Sequence, residues 1–233
     1  MIESPLSVAP AFAIGPIVVT WPVVVTWGVM AGLTLASILI TRRLTLRPGR
    51  AQAVLELIVS TLDSEIRATI PGDPGRFRAL IGTLLLFILA ANWSSLIPGV
   101  EPPTAHLETD AALALIVFVA SISWGIRGLG LGGWLSSFAK PSWIMIPLNV
   151  VEQITRHFSL MVRLFGNVMS GVFVVGIVLS LTGLLVPIPL MALDLLTGAV
   201  QAYIFATLAL VFIGSALNES RPDSEKDKEG STA

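Results

Sequence analysis

Apolar stretches long enough to cross a bilayer are the strongest constraint on the fold of this chain. A transmembrane helix needs about 20 predominantly apolar residues. Three stretches carry no charged side chain and two longer ones carry few; they are residues 17–41, 79–100, 111–126, 142–186 and 189–217. The pattern predicts an all-α polytopic membrane protein with about five transmembrane helices, of which the last two are long and tilted.

Composition agrees with a lipid environment and excludes several classes of function. Charged residues make up only 12% of the chain, about half of the roughly 25% that is typical of soluble domains. A net charge of -1 argues against a chain that binds nucleic acid through a general basic surface. With no cysteine and only two histidines, neither a metal site nor a cofactor is expected.

Basic residues between the first two apolar stretches indicate the orientation. They are Arg42, Arg43, Arg47, Arg50, Arg67, Arg76 and Arg78. Because Lys and Arg are retained on the cytoplasmic side of short loops, the N-terminus is predicted outside and the C-terminus in the cytoplasm. Residues 1–217 are predicted to form a single transmembrane helical domain, and residues 218–233 a flexible polar cytoplasmic tail.

The segment between the first two apolar stretches, which this orientation assigns to the cytoplasmic side, also contains an amphipathic pattern. Apolar residues recur at helical spacing opposite a polar set; the two sets are Val54, Leu55, Ile58, Leu62 and Ile66, and Gln52, Glu56, Asp63 and Arg67. The spacing predicts an amphipathic helix that lies on the cytoplasmic surface of the membrane.

The fourth apolar stretch carries a polar stripe. Its 45 residues would extend roughly 67 Å as one helix, so it must be tilted, partly outside the hydrocarbon, or broken into two pieces. Intervals of 4, 3, 4, 4 and 3 place six polar side chains on one helical face; they are Glu152, Arg156, Ser159, Arg163, Asn167 and Ser170. A solvated surface helix is the alternative interpretation, but the residues after Arg163 are too apolar for it.

Arg163 is the charge that most needs an explanation. A charged side chain at the bilayer centre costs about 2.5 to 3.5 kcal/mol. Arginine stays protonated under almost any condition, so Arg163 cannot relay protons but can attract a mobile carboxylate or block a cation. In the last apolar stretch, Asp194 and Gln201 lie seven residues apart on one face. Asp194 is either an exposed residue just past Pro189 or a titratable stop on an ion path.

Three segments resemble one known family. They are SLMVRLFGNVMSG at 159–171, GAVQAYIFATLALVFIGSAL at 198–217 and LIPGVEPPTAHLETDAALAL at 96–115. They look like the corresponding segments of subunit a of the F-type rotary ATP synthase membrane sector. The RLFGN core is the most specific of these matches.

The resemblance implies a non-catalytic stator subunit with two offset half-channels against a ring of c subunits. It assigns Arg163 to the barrier between the half-channels, Gln201 to a position facing it, Asn167 and Ser159 to its polar surroundings, and Asp194 to the external half-channel. The implied partners are the c ring, b-type peripheral stalk subunits, membrane lipid and a translocated proton or sodium ion. The implied location is a bacterial inner membrane.

Departures from the family pattern affect the ion route. Val172 stands where relatives carry an acidic residue or histidine, so Asp194 is expected to carry the external path alone. Asn149 stands where a glutamate is frequent, and Glu152 is the nearest carboxylate, one turn later.

Two other classes of function are weaker fits to the sequence. A self-contained secondary transporter that holds an anionic substrate at Arg163 is the alternative, and it predicts uptake by the purified chain alone. An intramembrane enzyme is disfavoured because no nucleophile accompanies Asp194. Gly128, Gly130 and Gly133 match a dinucleotide-binding pattern, but they follow an apolar stretch rather than a strand.

Overall fold

The fold is a helical bundle preceded by a short two-stranded ribbon. The computed structural model describes residues 10–14, 17–42, 49–70, 73–97, 100–137, 143–183 and 186–218. Within these ranges the regular elements are β1 (Pro10–Ile14), β2 (Ile17–Thr20), α1 (Trp21–Thr41), α2 (Arg50–Thr69), α3 (Gly75–Trp93), α4 (Leu107–Ser137), α5 (Ile146–Thr182) and α6 (Pro187–Asn218). Strands β1 and β2 pair antiparallel, an element that the sequence pattern did not predict.

Within the described residues, five helical segments are long and apolar enough to cross a membrane, which confirms the predicted fold class. They are Trp21–Thr41, Gly75–Leu96, Leu107–Gly128, Trp143–Thr182 and Pro187–Leu217. The last two are the longest, at 40 and 31 residues. Helix α5 runs without interruption, so the predicted alternative of a break into two pieces is wrong. At 1.5 Å per residue the 40-residue segment extends about 60 Å, twice the thickness of a bilayer core of about 30 Å.

The third span begins earlier than the apolar pattern indicated. Helix α4 starts at Leu107, so the acidic residues Glu108 and Asp110 lie in its first turn. Negative side chains in that position interact favourably with the helix dipole. Later in α4, Gly130 has φ 72°, a conformation that favours glycine, and the helical geometry is interrupted there. The glycine-rich segment is therefore a bend in a helix rather than a phosphate-binding turn.

Helix α2 packs partly against the bundle. Leu62 and Ile66 are buried in the common core, whereas Val54, near the start of the helix, is 56% exposed. Arg78 of α3 donates through Nε and Nη2 to the two carboxylate oxygens of Asp63, both at 2.6 Å. This bidentate ion pair links α2 to α3. Placement of α2 at the cytoplasmic membrane surface stays a prediction.

The bundle core is formed by one face each of α3, α4, α5 and α6. Helix α5 contributes Leu160, Leu164 and Val168, which recur every four residues and therefore share one side of the helix. Ile88, Val117 and Phe205 are among the side chains with no exposed surface, and they come from α3, α4 and α6. Helix α1 contributes one buried residue, Pro22. The fold therefore positions α5 with one buried face and one open face.

A polar junction joins α3, α6 and the turn at Pro103–Ala105. Asn92 donates its amide to the Gly198 carbonyl at 2.9 Å and accepts a hydrogen bond from the Thr104 hydroxyl at 2.7 Å. The Trp93 indole donates to the Leu195 carbonyl at 3.2 Å. Gly198 permits this close approach, because a Cβ there would lie 3.0 Å from the Asn92 Cβ. Small residues and interhelical hydrogen bonds of this kind hold membrane helices together.

Several predicted features lie outside the described residues. These are Arg43, Arg47 and the tail residues 219–233. Asn218, the first residue of the predicted tail, ends α6.

We expect Gly198→Leu to destabilise the assembled protein. The new side chain must displace Asn92, and overpacking of this kind costs about 1–3 kcal/mol in addition to the lost hydrogen bonds. The matched control is Gly32→Leu on α1, where a Cβ would have no neighbouring atom within 4 Å. Thermal denaturation of the purified protein checks this: Gly198→Leu lowers the Tm and Gly32→Leu does not. Equal Tm values for the two variants would contradict the role assigned to the α3–α6 junction.

Candidate functional site

The polar stripe of α5 lies on the open face of the helix. Glu152, Ser159, Arg163 and Ser170 are exposed, and Asn167 is partly buried one turn beyond Arg163. The core residues of α5 occupy its other side. Among the described residues, no carboxylate lies within ion-pair distance of Arg163. The arginine thus faces away from the bundle without a partner in the described part of its own chain.

A groove of about 520 Å³ runs along this face between α5 and α6. Its polar side chains come from α5 and include Glu152, Arg156, Ser159 and Arg163, while the rest of the lining is apolar and includes Leu208 and Phe212 of α6. Arg156 forms an ion pair with Glu152, one helical turn earlier. Its guanidinium carbon also lies 5.9 Å from the centroid of the Phe212 ring, which is within cation–π range. Arg156 is therefore held by two contacts, and Arg163 is left as the open cation of the groove.

A second cavity, of about 160 Å³, lies between the same two helices but farther along them. Two carboxylates line it, Asp194 of α6 and Glu101 in the segment before α4. Helix α5 contributes Val172 and Gly176 to the lining. Asp194 is half-buried rather than exposed. It lies directly against Gly171, where a Cβ atom would overlap its carboxylate oxygen Oδ1. The absence of a side chain at Gly171 is what lets Asp194 fit there.

The two cavities are separated along α5. Arg163 is the last α5 residue to line the groove, and Val172 is the first to line the second cavity. Nine residues correspond to about 13 Å along a helix. Asn167 lies within this interval on α5, and Gln201 lies between the two cavities on α6, where it is buried and its Nε2 lacks a hydrogen-bond partner among the described residues. The arrangement is two separate cavities, each with charged side chains in a mainly apolar lining, and a permanent cation beside the barrier.

The structure distributes the six predicted site residues over three places. Glu152, Ser159 and Arg163 line the groove, Asp194 lines the second cavity, and Asn167 and Gln201 lie between them. No cluster of histidine and acidic residues that could hold a metal ion occurs within the described ranges.

Sequence reasoning missed two acidic residues that lie between the second and third apolar stretches. The apolar pattern leaves Asp110 in a connection, but it is fully buried in the first turn of α4. Glu101, in the same connection, lines the cavity that contains Asp194. The available signal was spacing: Asp110 lies three and seven residues before the core positions Leu113 and Val117, on the same face of a helix.

Comparison with known proteins gives one consistent result. The family model described as ATP synthase A chain matches residues 23–214. The chain is 54% identical to "ATP synthase subunit a 2" of Bradyrhizobium sp. over 93% of its own length and 97% of the relative. It is 46% identical to "ATP synthase subunit a" of Albidiferax ferrireducens, over 84% and 86% of the two chains. It is 45% identical to "ATP synthase subunit a 1" of Prosthecochloris aestuarii, over 81% and 85%.

Proposed function

Because the chain belongs to the ATP synthase A chain family, and is thus a multi-pass membrane subunit of an F-type ATP synthase, we propose that it conducts ions past a rotor in two half-channels. The observation that carries this proposal is the pair of cavities between α5 and α6, offset by about 13 Å with Arg163 beside the barrier. A single continuous pore would let ions cross without turning a rotor. Two offset cavities oblige the ion to leave one, ride on the rotor and enter the other.

Arg163 acts in this proposal as a fixed positive charge. No described residue of this chain pairs with it, and in this proposal its partner belongs to another chain. An ionised rotor carboxylate meets that need, and the attraction offsets the cost of both charges in a low-dielectric setting. The same charge repels a cation that would pass directly between the half-channels. Asn167 and Gln201 supply hydrogen-bonding groups along the barrier.

The rotor is expected to pack against the open face of α5. This face is apolar between its polar positions: Ile154, Phe158 and Val162 are exposed at 57%, 60% and 44%. A ring of c subunits presents helices of matching chemistry. The remaining partners in this proposal are b-type peripheral stalk subunits, membrane lipid and the translocated proton or sodium ion.

Orientation follows from the basic residues. Arg42, Arg50, Arg67, Arg76 and Arg78 belong to the segment between α1 and α3 or its borders. Because Lys and Arg are retained on the cytoplasmic side of short loops, we assign that end of the bundle to the cytoplasm. The groove then opens to the cytoplasmic half and the Asp194 cavity to the external half. The N-terminus lies outside and the C-terminus inside a bacterial plasma membrane. The chain itself carries out no bond chemistry in this proposal.

We expect Arg163→Ala to abolish ion-coupled ATP synthesis while the complex still assembles. Without the guanidinium, an ionised rotor carboxylate pays its own cost of about 2.5–3.5 kcal/mol at the bilayer centre, which corresponds to a decrease in coupling on the order of a hundredfold. ATP synthesis by inverted membrane vesicles under an imposed ion gradient measures it. Arg127→Ala, at an exposed position of α4, is the matched control and keeps full synthesis.

Retained coupled synthesis in Arg163→Ala would refute the proposal. Substrate uptake by the purified chain alone in liposomes would instead support the secondary transporter. The stator proposal predicts that the isolated chain transports nothing without the rotor.

We expect Asp194→Asn to slow proton flux strongly without changing assembly. An amide keeps the shape and hydrogen bonds of the carboxyl but cannot bind and release a proton. Its carbonyl can still coordinate sodium, so sodium flux should fall much less. Passive proton flux and passive sodium flux through the membrane sector, measured separately, show which of the two ions the chain conducts. Asp73→Asn is the isosteric control, because Asp73 is exposed and accepts a hydrogen bond from the Gly75 amide. If the ion flux in Asp194→Asn equals the flux in this control, Asp194 is a structural residue.

A further inference from the structure

Asp110 is a buried carboxyl group that the proposed mechanism does not use. It has no exposed surface, and neither of its carboxylate oxygens has a hydrogen-bond partner in the described part of the chain. Burial of an unpaired carboxylate costs several kcal/mol even after relaxation. The group must therefore carry a proton or hold a cation. A purely structural position would be filled at lower cost by an apolar residue.

Two further titratable groups connect Asp110 to the surface. His106 lies one helical turn before it; its side chain is only 10% exposed and its Nε2 has no hydrogen-bond partner among the described residues. That atom lies 3.6 Å from Oε2 of Glu101, whose side chain is 73% exposed. Burial thus increases in order from Glu101 through His106 to Asp110. Such an order is what an ion needs to move from water into the bundle in short steps.

The polar junction fixes the turn before α4 against α3 and α6. The hydrogen bonds from Asn92 to Gly198 and from Thr104 to Asn92 join that turn to one turn of α6. On α6, Gln201 lies three residues beyond Gly198 and carries a buried nitrogen without a hydrogen-bond partner among the described residues. A second unsatisfied polar group on the helix to which this turn is fixed is consistent with an ion path that enters the bundle here.

We propose that Asp110 is a second ion-carrying carboxylate of the external half-channel, reached past Glu101 and His106. This inference rests on the proposed function and changes one part of it, since Asp194 no longer carries the external path alone. The ligand is a monovalent cation, either a proton or sodium. Glu101 serves both routes, because it also lines the cavity that contains Asp194.

Asp110→Asn tests the proposal directly. The amide fills the same volume but cannot bind and release a proton, so passive proton flux through the membrane sector should fall at least about tenfold, whereas sodium flux should fall less because the amide carbonyl still coordinates sodium. The matched control is Ser121→Ala, which removes another fully buried polar group of α4 and leaves flux unchanged. Flux is measured separately with proton and sodium gradients, which identifies the ion. Flux in Asp110→Asn equal to the parent overturns the proposal.

A cysteine measurement covers the case in which Asp110→Asn does not assemble. The chain has no cysteine, so Asp110→Cys introduces the only thiol of this subunit. Silver ions added from the external side should reach it and protect it from later alkylation in denaturant, as read from the mass of the chain. Ser121→Cys, deeper in α4, should stay unprotected. Absence of protection at position 110 overturns the proposal without any activity measurement.

Glu101→Gln gives a third measurement that does not depend on the core. Glu101 is exposed, so folding should be unaffected, and external entry should slow several-fold; unchanged flux would overturn the route. Failure of the proposed function itself gives a different result. In that case Arg163→Ala retains coupled ATP synthesis, whatever the ion flux in Asp110→Asn.

Discussion

One unpaired guanidinium on an apolar helix is the constraint on which the rest of the structure depends. Arg163 cannot lose its charge, and the chain offers it no carboxylate within ion-pair distance in the described ranges. A membrane helix tolerates such a residue only if it faces water or a partner. The bundle meets this requirement by turning one face of α5 outward. The groove, the open apolar surface beside it and the need for a second subunit all follow from that orientation.

The opposite face of α5 is what makes the outward face possible. Leu160, Leu164 and Val168 are buried against the other helices of the bundle, including α6, whose Ala202, Ala206 and Ala209 are themselves buried. Small residues let membrane helices approach closely. Helix α6 is in turn fixed to α3 by the hydrogen bond between Asn92 and Gly198. Contacts on the buried face of α5 therefore fix the position of the helix that carries the polar stripe.

Local pattern predicted much of this arrangement and failed where distant segments meet. Apolar length predicted five spans, and helical spacing placed Arg163 and Ser159 on one face. The contact between Asn92 and Gly198 joins residues 106 positions apart, and no local pattern contains it. Asp110 falls between two apolar stretches; its spacing to Leu113 and Val117 indicates a shared helical face, but only the tertiary fold shows that the first turn of α4 is fully enclosed. The interruption of α4 at Gly130 depends on a backbone angle rather than on apolar pattern, so the sequence excluded a nucleotide-binding turn there but did not predict the bend.

The uninterrupted course of α5 also determines how this subunit can change during evolution. One rigid helix lines both cavities, so their separation is measured by backbone rise alone. One added residue between Arg163 and Gly171 would turn everything beyond it by about 100° and carry Gly171 away from Asp194. The length of this interval therefore cannot change without moving one cavity relative to the other, and the spacing of the two cavities is a fixed register.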